Sequence, residues 1–149
     1  MIPPTEPEEG ISSPSQPTAA SPGRVYIREA PGVPPSSSPI SQAVVVQNMC
    51  WVSGQLSTEE GRFVPGTARE EAARSFANVE AILAAAGFGL AEIVYVDVAF
   101  TNLARDLPDL NDLFAEIFPP PDRPARTIYE ASALPFGGLI KVQAVAVRA

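Results

Sequence analysis

The chain has 149 residues and a mass of 15.7 kDa, with 46% hydrophobic and 18% charged side chains, which suits one domain built around one core. Ten basic against 17 acidic side chains give a net charge of −7, and the nine arginines and one lysine are scattered, which argues against nucleic acid or an anionic membrane surface as a partner. With no histidine and a single cysteine, Cys50, the chain lacks the means for Ser-His-Asp or Cys-His nucleophiles, an HExxH zinc helix, an intrachain disulfide or a thiolate cage, so no metal or cofactor is expected.

Of the 17 prolines, ten precede residue 40. Residues 1–22 are Pro, Ser, Thr and Glu with little that is large and apolar, a composition that cannot offset the entropy of ordering, so they are expected to form a disordered tail ahead of a domain over 23–149. The start shows no basic segment followed by an apolar one, and no window of ~18 apolar residues is long enough to span a bilayer. A soluble cytoplasmic protein in a reducing compartment is the expectation. Val25–Arg28 reads as a short first strand, and Pro31–Pro39 as a loop of fixed, partly polyproline-like shape.

Ala43–Val46 and Met49–Val52 are β-rich runs around Gln47-Asn48, which predicts a hairpin ending near Ser53-Gly54. Thr67 with Glu70 three residues on forms a capping box, and Ala72, Phe76, Val79, Leu83 and Ala86 recur at helical spacing, so an amphipathic helix is predicted from Ala68 to Ala86 with Gly87 just past its end. Arg69, Glu71, Arg74, Asn78 and Glu80 are expected on its solvent face. Ile93–Thr101 is apolar on both faces and predicts an internal strand, interrupted by Asp97. A second helix is expected with Asp106 as N-cap and Pro108 in its first turn, stopped by Pro119–Pro121. Strands over Thr127–Ala131 and Leu139–Arg148, separated by the loop Leu134–Gly138, complete a ββ-α-β-α-ββ order, an α+β mixed sheet with both helices on one face.

The runs Ser38–Ala43 (SPISQA), Val52–Gln55 (VSGQ), Phe63–Gly66 (FVPG), Asn78–Gly87 (NVEAILAAAG), Pro124–Thr127 (PART) and Ala144–Val147 (AVAV) occur in the order seen in the Rid family, the reactive intermediate deaminases also called YjgF-like proteins. The chain resembles that family over roughly residues 25–149. The resemblance implies a chorismate-mutase-like fold, a homotrimer with a ligand cleft at each subunit interface, and hydrolysis of a small 2-imino acid to a 2-keto acid and ammonia without a cofactor. By the same resemblance Arg126 binds the substrate carboxylate, and a planar guanidinium suits that role through paired charge-assisted hydrogen bonds.

Three positions depart from the family pattern. Gln143 stands where active members have a glutamate that positions water; an amide accepts a hydrogen bond but takes no proton. Ile40 replaces a tyrosine of the cleft, and Ile128 replaces a frequent cysteine. Ser53 and Gly54 match a Ser-Gly that opens onto the cleft, the serine either bonding substrate or ending the strand. Lys141 shares a strand face with Gln143 and either adds charge to the anion site or is a solvated edge lysine. Glu130 and Asp97 are the remaining acids on predicted strands, and Cys50 reads as buried packing. Two functional readings stay open at this point: a deaminase using Arg126 and Gln143, or a trimer that binds small carboxylates as a regulatory or scavenging module. RNA cleavage fits poorly with the acidic charge and the lack of histidine.

Overall fold

In chain order the strands are β1 (Thr18–Ser21), β2 (Arg24–Ile27), β3 (Ala43–Val46), β4 (Met49–Gln55), β5 (Thr58–Glu59), β6 (Arg62–Phe63), β7 (Ile93–Phe100), β8 (Ala125–Glu130) and β9 (Ile140–Val147), with helices α1 (Ala68–Ala85) and α2 (Leu103–Ile117). They come from a computed structural model that describes residues 18–21 by their backbone and 23–149 in full. The rest of the expected tail, 1–17 and 22, lies outside the described residues. Within that expected tail β1 pairs antiparallel with β2, so the sheet begins before residue 23.

Seven strands form one sheet in the order β1-β2-β3-β4-β9-β7-β8, and β5-β6 make a separate two-stranded ribbon. Every pair in the sheet is antiparallel except β7–β8. A parallel pair needs a long crossover, and α2 supplies it. The hairpin turns at Gln47-Asn48 as its sequence predicts, with Gln47 in the left-handed region at φ 53°.

Both ends of α1 are chemically marked. Thr67 accepts the Glu70 N–H and Glu70 accepts the Thr67 N–H, each at 3.2 Å. At the other end Gly87 takes φ +84°, and the N–H groups of Gly87 and Phe88 donate back to Ala84 and Leu83. This is a Schellman closure, and it turns Phe88 into the core.

The helix buries more than its apolar stripe. Glu71, Ser75 and Asn78, at helical spacing beside Ala72, Phe76 and Val79, are buried too, which corrects the expected solvent-facing placement of Glu71 and Asn78. Each has a fixed partner. Glu71 accepts the Leu139 N–H at 3.0 Å, and the Asn78 amide donates to the carbonyls of Leu56 and Thr58 and to the Thr58 hydroxyl. A buried polar group is tolerable when bonded in this way. Arg69 and Glu80 do face solvent.

α2 begins four residues before the predicted start. Asn102, not Asp106, is the cap, accepting the Arg105 N–H at 3.1 Å. Asp106 sits inside the first turns, buried and paired with Arg105 at 2.7 Å. Pro108 lies one turn deeper than expected, on the exposed side, where its missing N–H leaves the Ala104 carbonyl without that intrahelical donor. The helix ends at Phe118 and the proline run, which includes a cis Pro120–Pro121 bond.

Both helices pack on one face of the sheet. Val96, Val98, Phe100, Ile140, Val142, Ala144 and Ala146 from β7 and β9 meet Phe76, Val79, Ile82, Leu83, Leu110 and Phe114. Phe114 and Phe118 lie 4.7 Å apart, and both turn edges toward Phe76 at about 6 Å. The opposite face has no layer over it among the described residues, and Trp51 there is 52% exposed. No helix among the described residues is long and apolar enough to cross a membrane.

Candidate functional site

At the β8 edge of the sheet a cleft of about 310 Å³ is lined by Asn111, Phe114, Ala115, Arg123, Pro124 and Arg126. Arg126 is in register with Val96, which is fully buried under the helices, so its side chain leaves the strand on the helix side. The guanidinium carbon lies 4.9 Å from the centroid of Phe114, and Nη1 donates to Asn111 Oδ1 at 2.8 Å. Arg123 is tied down nearby, its Nε donating to the Phe118 carbonyl at 2.9 Å.

Among the described residues no carboxylate forms an ion pair with Arg126. Burial pushes its pKa down from the usual value, while the group stays a cation at any working pH. The result is an oriented guanidinium with one N–H committed and others open, which calls for a planar anion such as a carboxylate. In the sequence Phe114 reads only as part of the apolar run of the second helix, and Asn111 carries no signal, since an asparagine on the outer face of a helix gives none until its strand partner is known.

A second cleft, of about 280 Å³, lies between the Pro-rich loop, the end of β4 and the turn before β9, and Ile40, Gly54 and Phe136 are among its lining residues. The loop is pinned from below by the Gln42 side chain, whose Nε2 donates to the Pro34 carbonyl and whose Oε1 accepts Gln55 Nε2, both at 3.0 Å. Ile40 and Gly54 therefore come together as the sequence implies. Phe136 was legible only as part of a loop.

Gly54 sits at a register shift between β4 and β9. A Cβ there would fall 2.9 Å from Lys141 Cδ, so the glycine makes room for the lysine stem. The Ser53 hydroxyl donates to the Ser41 carbonyl at 2.7 Å, bracing the approach to the hairpin. Ile128 is half-buried and packs against the hydrophobic core. It does not line the Arg126 cleft.

Gln143 and Lys141 lie on the open face of the sheet, opposite the helices. Asp97 stands directly across from Gln143, with Thr127 next in the same row, which makes Asp97 the carboxylate adjacent to Gln143. Glu130 is used elsewhere, accepting the Leu103 N–H at the start of α2 at 3.0 Å. Within one chain, then, Arg126 and Gln143 occupy opposite faces of the sheet, and the Arg126 cleft does not meet the Ile40 cleft. Cys50 is fully buried, and burial pushes its thiol up to about 11 against the opposing pull of Arg148, so it is unreactive packing. Among the described residues no three His, Cys, Asp or Glu side chains group to hold a metal.

The sequence model of a family described as Endoribonuclease L-PSP matches residues 32–148. A 2-iminobutanoate/2-iminopropanoate deaminase of Bos taurus is 36% identical over 117 residues, covering 77% of this chain and 84% of that protein. The solved structure of the Escherichia coli YjgF gene product superposes with a TM-score of 0.76 at 30% identity, covering 83% of this chain and 98% of the other. Escherichia coli TdcF, solved with bound serine, gives a TM-score of 0.76 at 28% identity with the same coverage, 83% and 98%. The arrangement of two helices on a mixed sheet, the Pro124–Thr127 run and these matches together place the chain in the Rid (YjgF-like) family, with its chorismate-mutase-like α+β fold.

Proposed function

We propose that this chain is a Rid-type deaminase that hydrolyses a 2-imino acid. Water adds to the imine carbon, the carbon–nitrogen bond breaks, and a 2-keto acid and ammonia leave. The observation that carries the reading is Arg126, a part-buried guanidinium without a carboxylate partner, oriented by Asn111 and Phe114 in an open cleft. It holds the substrate carboxylate through two parallel N–H···O bonds. Gln143 orients the water through its amide, and Asp97 across from it supplies the carboxylate that accepts the proton. Relatives named as imine deaminases, and a similar structure that contains serine, a small amino acid, support the substrate class.

Because the two clefts lie apart in one chain, the site is completed by a second copy in a homotrimer. The uncovered sheet face, with Trp51 exposed and Val44, Val46, Val145 and Val147 half-buried around it, is the surface we assign to that assembly. Neither nucleic acid nor membrane is a partner in this reading, and its setting is the cytoplasm.

Gln143 favours a second reading, a trimer that binds small carboxylates without turning them over, because an amide cannot act as a base. Imine hydrolysis by the wild type, Arg126→Ala and Gln143→Glu separates the two. Wild-type activity that Arg126→Ala abolishes supports the deaminase. An inactive wild type beside an active Gln143→Glu variant leaves a binding module.

A further inference from the structure

Phe136 is 65% exposed, and its backbone is left-handed at φ 62°, a conformation that costs an aromatic residue free energy. The surroundings hold it there. Its ring stacks on Phe63 at 5.7 Å and 23°. The turn beneath is fixed at several points. The Gly138 N–H donates to the Pro135 carbonyl at 3.0 Å, and Gly138 packs so closely that a Cβ would fall 3.0 Å from Leu56 Cδ2. The next residue, Leu139, is anchored by its N–H to the buried Glu71 and by its carbonyl to the Thr101 N–H. Beyond its one stack on Phe63, the strained aromatic on this rigid turn stays exposed, with 65% of its surface open to solvent.

The ring borders the second cleft, which Pro34, Pro35 and Ile40 of the Pro-rich loop also line. Ile40 is 54% exposed, so two large apolar side chains from different segments border one small cavity, which Leu56 and the polar Ser36, Thr58 and Glu60 also line. Building on the deaminase reading, we infer that this cleft receives the side chain of the 2-imino acid, and that Phe136 and Ile40 select a branched or aromatic side chain of leucine or phenylalanine size over a one- or two-carbon one. Exposed apolar side chains at a preformed cleft favour each added buried methylene of a ligand placed against them.

The experiment uses the full chain and two readouts. In the first, imino acids are generated in place from alanine, leucine and phenylalanine by an amino-acid oxidase, and kcat/KM for their hydrolysis is compared. In the second, binding of pyruvate and of 4-methyl-2-oxopentanoate is titrated calorimetrically, which needs no turnover. A preference of about tenfold or more for the leucine-derived ligand is expected in both. Phe136→Asn keeps a residue that accepts the left-handed backbone and removes the ring, and it should bring that ratio close to one; Phe136→Leu should retain most of it. Equal treatment of small and large ligands by the wild type, or an unchanged ratio in Phe136→Asn, overturns the selector. Selective binding without any hydrolysis overturns the deaminase reading and keeps the pocket, hydrolysis without selectivity does the reverse, and neither binding nor hydrolysis overturns both.

Discussion

At the β8 edge of the sheet a cation is held by a side-chain amide and an aromatic face, whereas at the β4 end the loops of a cleft are held through their backbone by buried side chains. Arg126 depends on Asn111 and Phe114 of α2, so its position follows from how one helix packs. Ile40 and Phe136 depend on loops pinned by buried groups, Gln42 below one and Glu71 below the other. One cleft presents a cation, and the other presents two exposed apolar side chains, Ile40 and Phe136, among polar ones. A substrate with a carboxylate at one end and a side chain at the other needs both, and one copy of the chain holds them apart.

Removing the charge should have the largest effect. Arg126→Ala should lower kcat/KM for imine hydrolysis by about 100-fold or more, in line with truncating one partner of a charged hydrogen-bonded pair. Arg126→Lys should recover little of it, because a point charge lacks the fork geometry. Circular dichroism should show an unchanged fold, since the guanidinium contributes no ion pair among the described residues.

Loosening the apolar wall comes next. Glu71→Ala leaves the Leu139 N–H unsatisfied in the core, and should cost about 1–3 kcal/mol in denaturant unfolding while blurring the side-chain preference set by Phe136. Glu71→Gln keeps an acceptor and should lose less.

Asp97→Asn sharpens the distinction between binding and chemistry. It should reduce kcat for imine hydrolysis with little change in KM, and the double variant Asp97→Asn/Gln143→Glu should recover activity. An unchanged kcat would remove Asp97 from the reaction.

The smallest effect should leave both clefts alone. Thr67→Ala removes the cap of α1 and should cost about 1 kcal/mol of stability without altering activity. The same box has a pH signature. Hydrogen bonds from Thr67 hold the Glu70 carboxyl below its usual value of 4.5, so the folded state binds the proton less readily than the unfolded chain. The box therefore stabilises above that value and its contribution fades as pH falls through the lower folded value. Thr67→Ala keeps the backbone N–H that is the larger cause, so its acid unfolding should lose only the smaller, side-chain share of this pH dependence.

The sequence shows most clearly what is chemically local. Thr67, Glu70 and Gly87 mark α1 because capping and left-handed closure depend on a few neighbouring residues. The start of α2 is ambiguous in the sequence because Asp106 and Pro108 mimic a cap and first turn, while Asn102 gives an equally good cap four residues earlier. Glu71 and Asn78 lie on the same helical stripe as the apolar residues, and reading them by polarity rather than by position put them in solvent. Their partners, Leu139, Leu56 and Thr58, are distant in sequence, so nothing local announces the burial. Of the residues lining the two clefts, Arg126, Ile40 and Gly54 stand in motifs that single them out in the sequence. That Arg126 and Gln143 face opposite sides of the sheet is not legible there, because side-chain alternation fixes faces within a strand while relative facing depends on register between β8, β7 and β9.

On the proposed reading, Arg126 of one copy works with the Ile40 cleft of another. Two variants, Arg126→Ala and Ile40→Asp, each damage one cleft and should each be inactive alone. Co-expressed with different tags and purified as mixed assemblies, they should regain activity, in about one quarter of sites for random mixing of copies in a symmetric ring. Mixed assemblies as inactive as either parent, under conditions where the wild type hydrolyses imine, would contradict a site shared between copies.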